Sequence, residues 1–370
     1  MERINESKLM KICFLAPSNS AHTKKWCEYF ASQGHEVHVI SFCDEEIEGV
    51  HLHYVSTGAN AGVGDVQKLK YLLQAGKVRR IVKEIGPDIV NAHYATSYGT
   101  VAALAGLKNS IVSVWGSDIY VFPKKSPLHR LLLKFSLARA SHLFSTSKAM
   151  AEEASQYTGK PFEITPFGVD MALFSPEKRS RTDAGDFVVG TVKSLSPAYG
   201  IDVLLKAAAI VKREYPQIPL KVRIAGRGPC EEAYRELALQ LGLQETVTWL
   251  GFIPQEQAAV EWANMDAAVI CSNSESFGVS AVEAQSSGCP VIISDIPGLM
   301  EATKPGTTSI VVHRQDECAV AEALVRLYEQ ETLRKEMGMS GRAYVEEYYE
   351  LKACFQKVEA LFRKISNNRR

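Results

Sequence analysis

The sequence predicts an α/β fold with two domains, each built on a parallel β-sheet. Short apolar runs alternate with amphipathic stretches, a pattern typical of strands joined by helices that cover both faces of a sheet. The chain has 370 residues, and one domain usually takes roughly 100–200. A polar stretch over 175–186 separates two series of such runs, and we interpret it as the linker between the domains.

The first series of apolar runs predicts five strands. A helix from about Lys24 to Gln33 is expected after the first strand, and Gly34 is placed to end it in a left-handed conformation. In parallel sheets, ligands bind beyond the carboxyl ends of the strands. We predict the strands at 12–16, 37–41, 88–92, 111–114 and 142–145.

The second series predicts six further strands and a closing helix. We expect domains at 1–172 and 187–345, with a C-terminal helix in 346–370 whose wide apolar face must pack against another part of the protein. The strands are predicted at 187–192, 220–225, 246–250, 267–271, 291–294 and 309–312. The apolar face of the helix consists of Cys354, Phe355, Val358, Leu361, Phe362 and Ile365.

Composition excludes several classes of protein. The 42 Lys and Arg residues balance the 42 Asp and Glu residues, whereas a nucleic-acid-binding protein usually carries a basic excess. No apolar run reaches the roughly 18 residues of a membrane-spanning helix, and the polar start is unlike a signal peptide. The eight cysteines lie far apart without a C-x-x-C pair, which favours reduced thiols in a cytoplasmic protein over disulfides or a zinc site.

The charge is unevenly distributed along the chain. Residues 1–170 hold 19 basic and 16 acidic side chains, and the segment 119–151 holds six basic residues and no acidic one. Apolar residues interleave with these cations, which extend from Lys124 to Lys148. One interpretation is a helix with solvated lysines. The other is a surface that meets an anionic membrane or an acidic acceptor, and the sequence leaves both open.

The most informative segment for chemistry runs from Cys271 to Asp295. It predicts a strand, a polar loop with Glu275, a short helix that opens near Gly278 and contains Glu283, and another strand. A helix start presents backbone N–H groups that suit ligand oxygens, and carboxylates suit sugar hydroxyls. Two solvated glutamates near a helix start would give the same spacing.

This segment resembles the E-x(7)-E signature of family 4 retaining glycosyltransferases. That family has the GT-B architecture, with two facing Rossmann-like domains and a C-terminal helix that packs back toward the N-terminal domain. The resemblance extends from Met10 to about Phe362. Other segments that resemble the family, in the same order along the chain, are 34–37, 166–170, 225–229, 250–254 and 337–342.

The resemblance implies a donor site for a nucleoside diphosphate sugar in the C-terminal domain. Glu275 would contact the transferred sugar, and Glu283 would hold the ribose. The backbone of Phe277, Gly278 and Val279 would bind the sugar and the diphosphate. The loop at Gly251 and Phe252 would line the base pocket. Such enzymes use no metal and no further cofactor, because cations and helix N-termini neutralise the leaving diphosphate.

The phosphate-binding cations of the family are changed in this chain. The family often places an Arg and a Lys where this chain has Ser194 and Tyr199. Lys193 is the cation that remains there, and we predict that it binds the diphosphate; the alternative is a solvated surface lysine. Arg227 is a possible second cation.

The acceptor side also departs from the family. His22 stands at the start of the first helix and could donate to the acceptor or the diphosphate, or be held by the helix cap. Trp115 replaces a common His and could stack on a sugar ring. Asp118 is our candidate for orienting the acceptor hydroxyl, ahead of His93, although it could be an ordinary turn residue.

The resemblance implies transfer with retention of the anomeric configuration. The acceptor would be a hydroxyl of a glycan or lipid-linked glycan in bacterial surface polysaccharide synthesis, and the protein would be cytoplasmic or peripheral on the inner membrane face. Two alternatives use the same fold: a nucleotide-sugar epimerase, and a protein that only binds a partner. Retention of Glu275 and Glu283 argues against the binding protein.

Overall fold

The computed structural model describes residues 9–58, 70–182 and 185–368. The chain divides into two units: Met1–Pro166 with Phe355–Arg370, and Phe167–Cys354. The polar stretch that we interpreted as a linker lies within the second unit. Its described part is held there because Arg179 and Arg181 both pair with Asp266, at 3.1 and 2.8 Å.

The first unit contains a parallel sheet that has seven strands within the described residues. The strand order is β3-β2-β1-β4-β5-β6-β7. The strands are β1 (Lys11–Leu15), β2 (Glu36–Ser41), β3 (His51–Tyr54), β4 (Ile89–His93), β5 (Ser110–Val114), β6 (His142–Ser145) and β7 (Phe162–Ile164). The helices are Ala21–Ser32, Ala75–Ile85, Gly99–Leu104, Ser117–Tyr120, Pro127–Arg139 and Lys148–Ser155.

The second unit repeats this plan with six described strands in the order β10-β9-β8-β11-β12-β13, all parallel. The strands are β8 (Phe187–Val192), β9 (Leu220–Ala225), β10 (Val247–Gly251), β11 (Ala267–Ile270), β12 (Val291–Ser294) and β13 (Ser309–Val312). The helices are Ile201–Glu214, Glu231–Gln240, Gln255–Asn264, Val279–Ser286, Pro297–Ala302, Glu317–Glu329 and Glu331–Tyr348.

The predicted strands are confirmed to within about one residue at each end. The central strands are buried along nearly their whole length, which is typical of parallel sheets covered on both faces. Two strands were not predicted. β3 (His-Leu-His-Tyr) is half exposed and polar, and β7 has only three residues, so neither gives an apolar run.

The last helix, Leu351–Asn367, belongs to the first unit from Phe355 onward. The prediction that it packs back on the N-terminal half is confirmed. Phe355 stacks on Tyr29 with ring centroids 4.6 Å apart, and Phe362 stacks on Phe30 at 5.2 Å. Burial of these aromatic rings stabilises the helix in place.

Strand order reverses at one point in each sheet. In the first sheet this point lies between β1 and β4, and in the second it lies between β8 and β11. Neighbouring connections leave in opposite directions there, so the carboxyl ends of the two strands border a crevice where ligands bind. We call these places the first and the second switch point.

Candidate functional site

At the second switch point, a lysine and a glutamate form an ion pair. Lys193 directly follows β8, and Glu275 lies in the loop after β11. The Lys193 Nζ is paired with Glu275 Oε2, and the two side chains are 10% and 12% exposed. An ion pair so shielded from water is costly to break by removing one partner. The structure therefore brings together two residues that the sequence predicted separately.

Tyr199 supports the same lysine. Its ring centroid lies 4.6 Å from Lys193 Nζ, an arrangement in which the ring face attracts the ammonium. The turn that carries Tyr199 is fixed by Asn273, which donates from its backbone to Ala198 O (2.7 Å) and from its side chain to Pro197 O (2.8 Å). Sequence reasoning treated Tyr199 only as a lost lysine and missed this contact.

The predicted helix after Glu275 is confirmed, with bounds Val279–Ser286. Gly278 has φ of +92°, and a Cβ there would lie 2.8 Å from Leu299 Cδ2, so this position requires glycine. Ser280 Oγ donates to Val192 O at 3.1 Å and ties the helix start to the end of β8. The helix N-terminus, with its backbone donors, therefore lies beside Lys193.

The two other predicted residues on this helix differ in exposure. The Phe277 side chain is 1% exposed and packs edge-on against Tyr349 at 5.1 Å, so only its backbone is placed for a ligand. Glu283 is partly exposed and lies one turn after Val279, which is also partly exposed. Residues four apart share a helix face, so Glu283 belongs to the face that opens at the helix start.

Gly251 is the last residue of the edge strand β10, and Phe252 directly follows it. Gly251 has φ of +66°, and its carbonyl accepts from Gly226 N at 2.7 Å. Phe252 is 77% exposed, which is unusual for a phenylalanine and leaves its ring able to stack on a planar group. Arg227, our possible second cation, is exposed.

Next to the first switch point, in the short helix Ser117–Tyr120 after β5, Asp118 is engaged by the backbone. It is 1% exposed. Its Oδ2 accepts from Ala95 N at 2.9 Å, and its Oδ1 accepts from Gly116 N at 2.9 Å and Trp115 N at 3.2 Å. Burial raises the pKa of this carboxyl, and the three donors oppose that shift. This geometry favours a structural role in which Asp118 holds the loop. The sequence had left that alternative open.

Trp115 closes over His93. The two rings lie 4.1 Å apart, and Trp115 is only 6% exposed. Little of the Trp115 ring is therefore open to solvent, and its stacking on a sugar stays a prediction. His93 is fully buried, and burial places its pKa well below the usual range. Among the described residues, neither of its ring nitrogens has a hydrogen-bond partner.

His22 lies in the first turn of helix Ala21–Ser32, with its ring 5.9 Å from that of Trp115. Burial, and next the charge of Lys25, lower the pKa of His22 to about 4, so this ring is neutral at pH 7. Tyr94, whose ring centroid lies 5.1 Å from that of Trp115, has φ of +66°. Backbone strain of this kind occurs at functional sites, and no sequence signal pointed to Tyr94.

No group of three or more His, Cys, Asp or Glu residues is arranged to hold a metal ion in the described part of the chain. No helix in the described ranges is both long and apolar enough to cross a membrane.

Two parallel-sheet units, each with polar side chains at its switch point, define a two-domain α/β protein of the GT-B type. Residues 11–147 match the family model described as Glycosyl transferase 4-like, and residues 175–344 match Glycosyl transferases group 1. The chain belongs to the family 4 glycosyltransferases.

Curated relatives agree with this assignment. The chain is 31% identical to the D-inositol 3-phosphate glycosyltransferase of Nocardia farcinica over 223 residues, which are 56% of this chain and 49% of that protein. The matched region spans 49% to 64% of the length of three such relatives.

Solved structures show the same fold. Sucrose-phosphate synthase from Thermosynechococcus elongatus superposes with a TM-score of 0.84 at 19% identity, covering 96% of this chain and 99% of that one. Anabaena HepE, solved with UDP-glucose, superposes with a TM-score of 0.79 at 20% identity, covering 96% and 100%.

Proposed function

We propose that this protein transfers a sugar from a nucleoside diphosphate sugar to a hydroxyl acceptor, with retention of the anomeric configuration. The observation that carries the proposal is the Lys193–Glu275 pair beside the N-terminus of helix Val279–Ser286. A cation and a helix N-terminus together suit a diphosphate. The carboxylate suits the sugar hydroxyls.

The ion pair explains how one site serves two ligand groups. A diphosphate carries more negative charge than a carboxylate, so it competes with Glu275 for the Lys193 ammonium. Glu275 is then released to accept hydrogen bonds from hydroxyls of the transferred sugar. Tyr199 stays beneath Lys193 and keeps the ammonium in place.

The positions of the other residues assign them to the ribose and the base of the donor. Glu283 binds the ribose hydroxyls from the partly exposed helix face. The exposed ring of Phe252 stacks on the base, and Gly251 allows the backbone to approach it. We infer a uridine nucleotide first, because Anabaena HepE, a structural neighbour, was solved with UDP-glucose.

In the proposed reaction, the bond between the sugar C1 and the leaving phosphate oxygen breaks. The bond from the acceptor oxygen to C1 forms on the same face, and the acceptor proton passes to the leaving phosphate. Lys193 and the helix N-terminus stabilise the developing charge on the diphosphate, so we propose that no metal ion is needed. His22 is neutral at pH 7 and donates a hydrogen bond to the acceptor or the diphosphate.

Asp118 has an indirect role in this proposal. Its three backbone contacts hold the loop of Trp115 and Gly116 in shape. It is thus a positioning residue of the acceptor-binding half, where we had expected it to orient the acceptor hydroxyl itself.

The acceptor is proposed as a lipid-linked glycan of surface polysaccharide synthesis, met through the basic segment Lys124–Lys148 at the inner membrane face. A second candidate is an inositol phosphate, favoured by the names of the curated relatives. Product analysis with each acceptor separates the two.

The decisive experiment is Glu275→Gln, assayed with UDP-, GDP- and ADP-sugars and both acceptors. We expect kcat to fall about 100- to 1,000-fold, since a contact made to the reacting sugar is lost. UDP binding, measured by calorimetry, should persist or tighten because Lys193 is no longer paired with a carboxylate. Bound UDP also shows that the variant is folded.

Exposed Glu322 on helix Glu317–Glu329 provides the control, and Glu322→Gln should transfer at the wild-type rate. Undiminished transfer by Glu275→Gln would overturn the proposal. Epimerised sugar formed without any acceptor would identify an epimerase. Binding of UDP with no turnover of any donor would identify a protein that only binds a partner. Full activity in EDTA is expected, and its loss would disprove metal independence.

A further inference from the structure

A basic cavity of about 390 Å³ opens on the first unit at the start of helix Pro127–Arg139. Lys124, Arg130 and Lys134 line it together with Ser126. No acidic residue lines it within the described part of the chain. Three cations around one concave surface form a site that favours an anionic group.

Two exposed leucines lie on the same helix as Arg130 and Lys134. Leu128 is 72% exposed and Leu131, which also lines the cavity, is 64% exposed. The two lie three residues apart on the helix and therefore share a face, whereas Leu133 and Leu137 are buried in the core. Neighbouring exposed leucines flanked by cations are typical of a helix that lies in a membrane interface.

The surrounding charges leave the cavity positive. Lys124 Nζ lies 3.6 Å from Glu153 Oε1, and the two side chains are 59% and 31% exposed, so water screens this pair and it is weak. Ser126 Oγ shares a hydrogen bond with His129 Nδ1 at 2.7 Å and caps the helix. Arg130 and Lys134 sit one turn apart, so their charges add at the cavity.

We propose that this cavity binds the phosphate of an anionic phospholipid headgroup while Leu128 and Leu131 enter the acyl boundary. A free phosphate would use the cations but not the leucines, and the combination therefore points to a lipid. The proposal narrows the basic segment of six cations to three. It rests on the proposed function only for its purpose, which is to bring the protein to a lipid-linked acceptor.

The test is sedimentation of the full chain with vesicles of phosphatidylcholine, with and without 30% phosphatidylglycerol (about one lipid in three). We expect binding to the anionic vesicles and little to the neutral ones. Each cation near an anionic surface strengthens binding about fivefold. The triple variant Lys124→Gln, Arg130→Gln, Lys134→Gln should therefore bind about 100-fold more weakly.

The matched control removes the other three cations of the segment, in Lys125→Gln, Arg139→Gln, Lys148→Gln. It has the same net charge as the first triple variant, and we expect a loss of threefold at most. Equal losses in the two variants would show a diffuse electrostatic effect and overturn the site. Leu128→Ser, Leu131→Ser should bind about tenfold more weakly even at low salt, when charge attraction is strongest, and wild-type binding there would overturn the insertion.

Two further measurements distinguish a lipid from a free anion as the ligand, and this proposal from the proposed function. Displacement of the vesicles by 5 mM inorganic phosphate (about the intracellular level), at constant ionic strength, would assign the cavity to a free anion and overturn the lipid. Glu275→Gln should bind vesicles like the wild type, because vesicle binding needs no turnover. If transfer fails in the wild type while vesicle binding persists, the proposed function fails and this inference stands.

Discussion

The two switch points of this molecule use their polar groups in opposite ways. At the second, Lys193 and Glu275 pair with each other through flexible side chains. At the first, Asp118 is engaged by three backbone N–H groups and His93 lies under Trp115. A side-chain ion pair can exchange one partner for a ligand, whereas a carboxylate bound by backbone cannot do so without unfolding its loop.

This difference distinguishes residues that contact the ligand from residues that hold the protein structure in place. Substitutions at the second switch point should reduce ligand binding and turnover, because the partners there are also the proposed ligand contacts. Substitution of Asp118 at the first should instead reduce the free energy of unfolding, because its partners are backbone N–H groups. Substitutions of Asp118, of Lys193 with Tyr199, and of His22 test this separation, in decreasing order of expected effect.

The largest effect is expected for Asp118→Asn. The amide keeps one acceptor oxygen and turns an NH₂ group toward a backbone donor, so at least one buried N–H group loses its partner. We expect the free energy of unfolding of the first unit to fall by about 2–4 kcal/mol, measured by urea unfolding. At urea concentrations below the unfolding transition of the variant, its kcat should stay within about threefold of the wild-type value.

Asp44 is exposed, and Asp44→Asn is the control that should leave the unfolding curve unchanged. If Asp118→Asn were as stable as the wild type but lost most of its turnover, the separation would fail. Asp118 would then contact the acceptor, as the sequence led us to expect.

The next effect concerns Lys193 and the ring beneath it. Lys193→Gln should weaken UDP binding about 10- to 100-fold, since a charge-assisted contact to phosphate is lost. Tyr199→Leu should weaken it about threefold to tenfold by removing the ring face, and Tyr199→Phe should bind like the wild type because it keeps the ring. Calorimetry with UDP measures all three.

Partly exposed Lys206, on helix Ile201–Glu214, provides the charge control, and Lys206→Gln should not change UDP binding. If Tyr199→Phe lost as much affinity as Tyr199→Leu, the hydroxyl and not the ring would be the supporting group. The pairing at the second switch point would then need another explanation.

Most of the fold could be predicted, because buried parallel strands such as β8 and β12 consist largely of apolar residues. The helix start at Gly278 was also predictable, since glycine marks a backbone conformation that other residues avoid. The edge strand β3 was not, because a half-exposed strand needs no apolar run.

The site could be predicted only in part, because its residues contact partners that are distant in sequence. Lys193 and Glu275 are 82 residues apart, and strand order alone decides that β8 and β11 are neighbours. The sequence placed each at a strand end but could not show that they pair. Likewise, the sequence indicated that Asp118 could lie in a turn. The direction of its carboxylate, however, depends on the backbone of Ala95, which belongs to another loop.

His22 gives the smallest effect and tests whether the first switch point is neutral. Its pKa is about 4 in the folded protein against an ordinary 6.5, so the unfolded chain binds the proton first as pH falls. Its contribution to stability is complete above pH 6.5 and decreases toward pH 4, by at most about 1.4 kcal/mol per pH unit. When the pH is lowered from 7 to 5, the free energy of unfolding measured in urea should therefore fall in both proteins. The fall should be up to about 2 kcal/mol smaller in His22→Gln than in the wild type. Equal losses in both proteins would show that His22 already carries a proton near pH 6, and the first switch point would then hold a charge available to a ligand, as the second does.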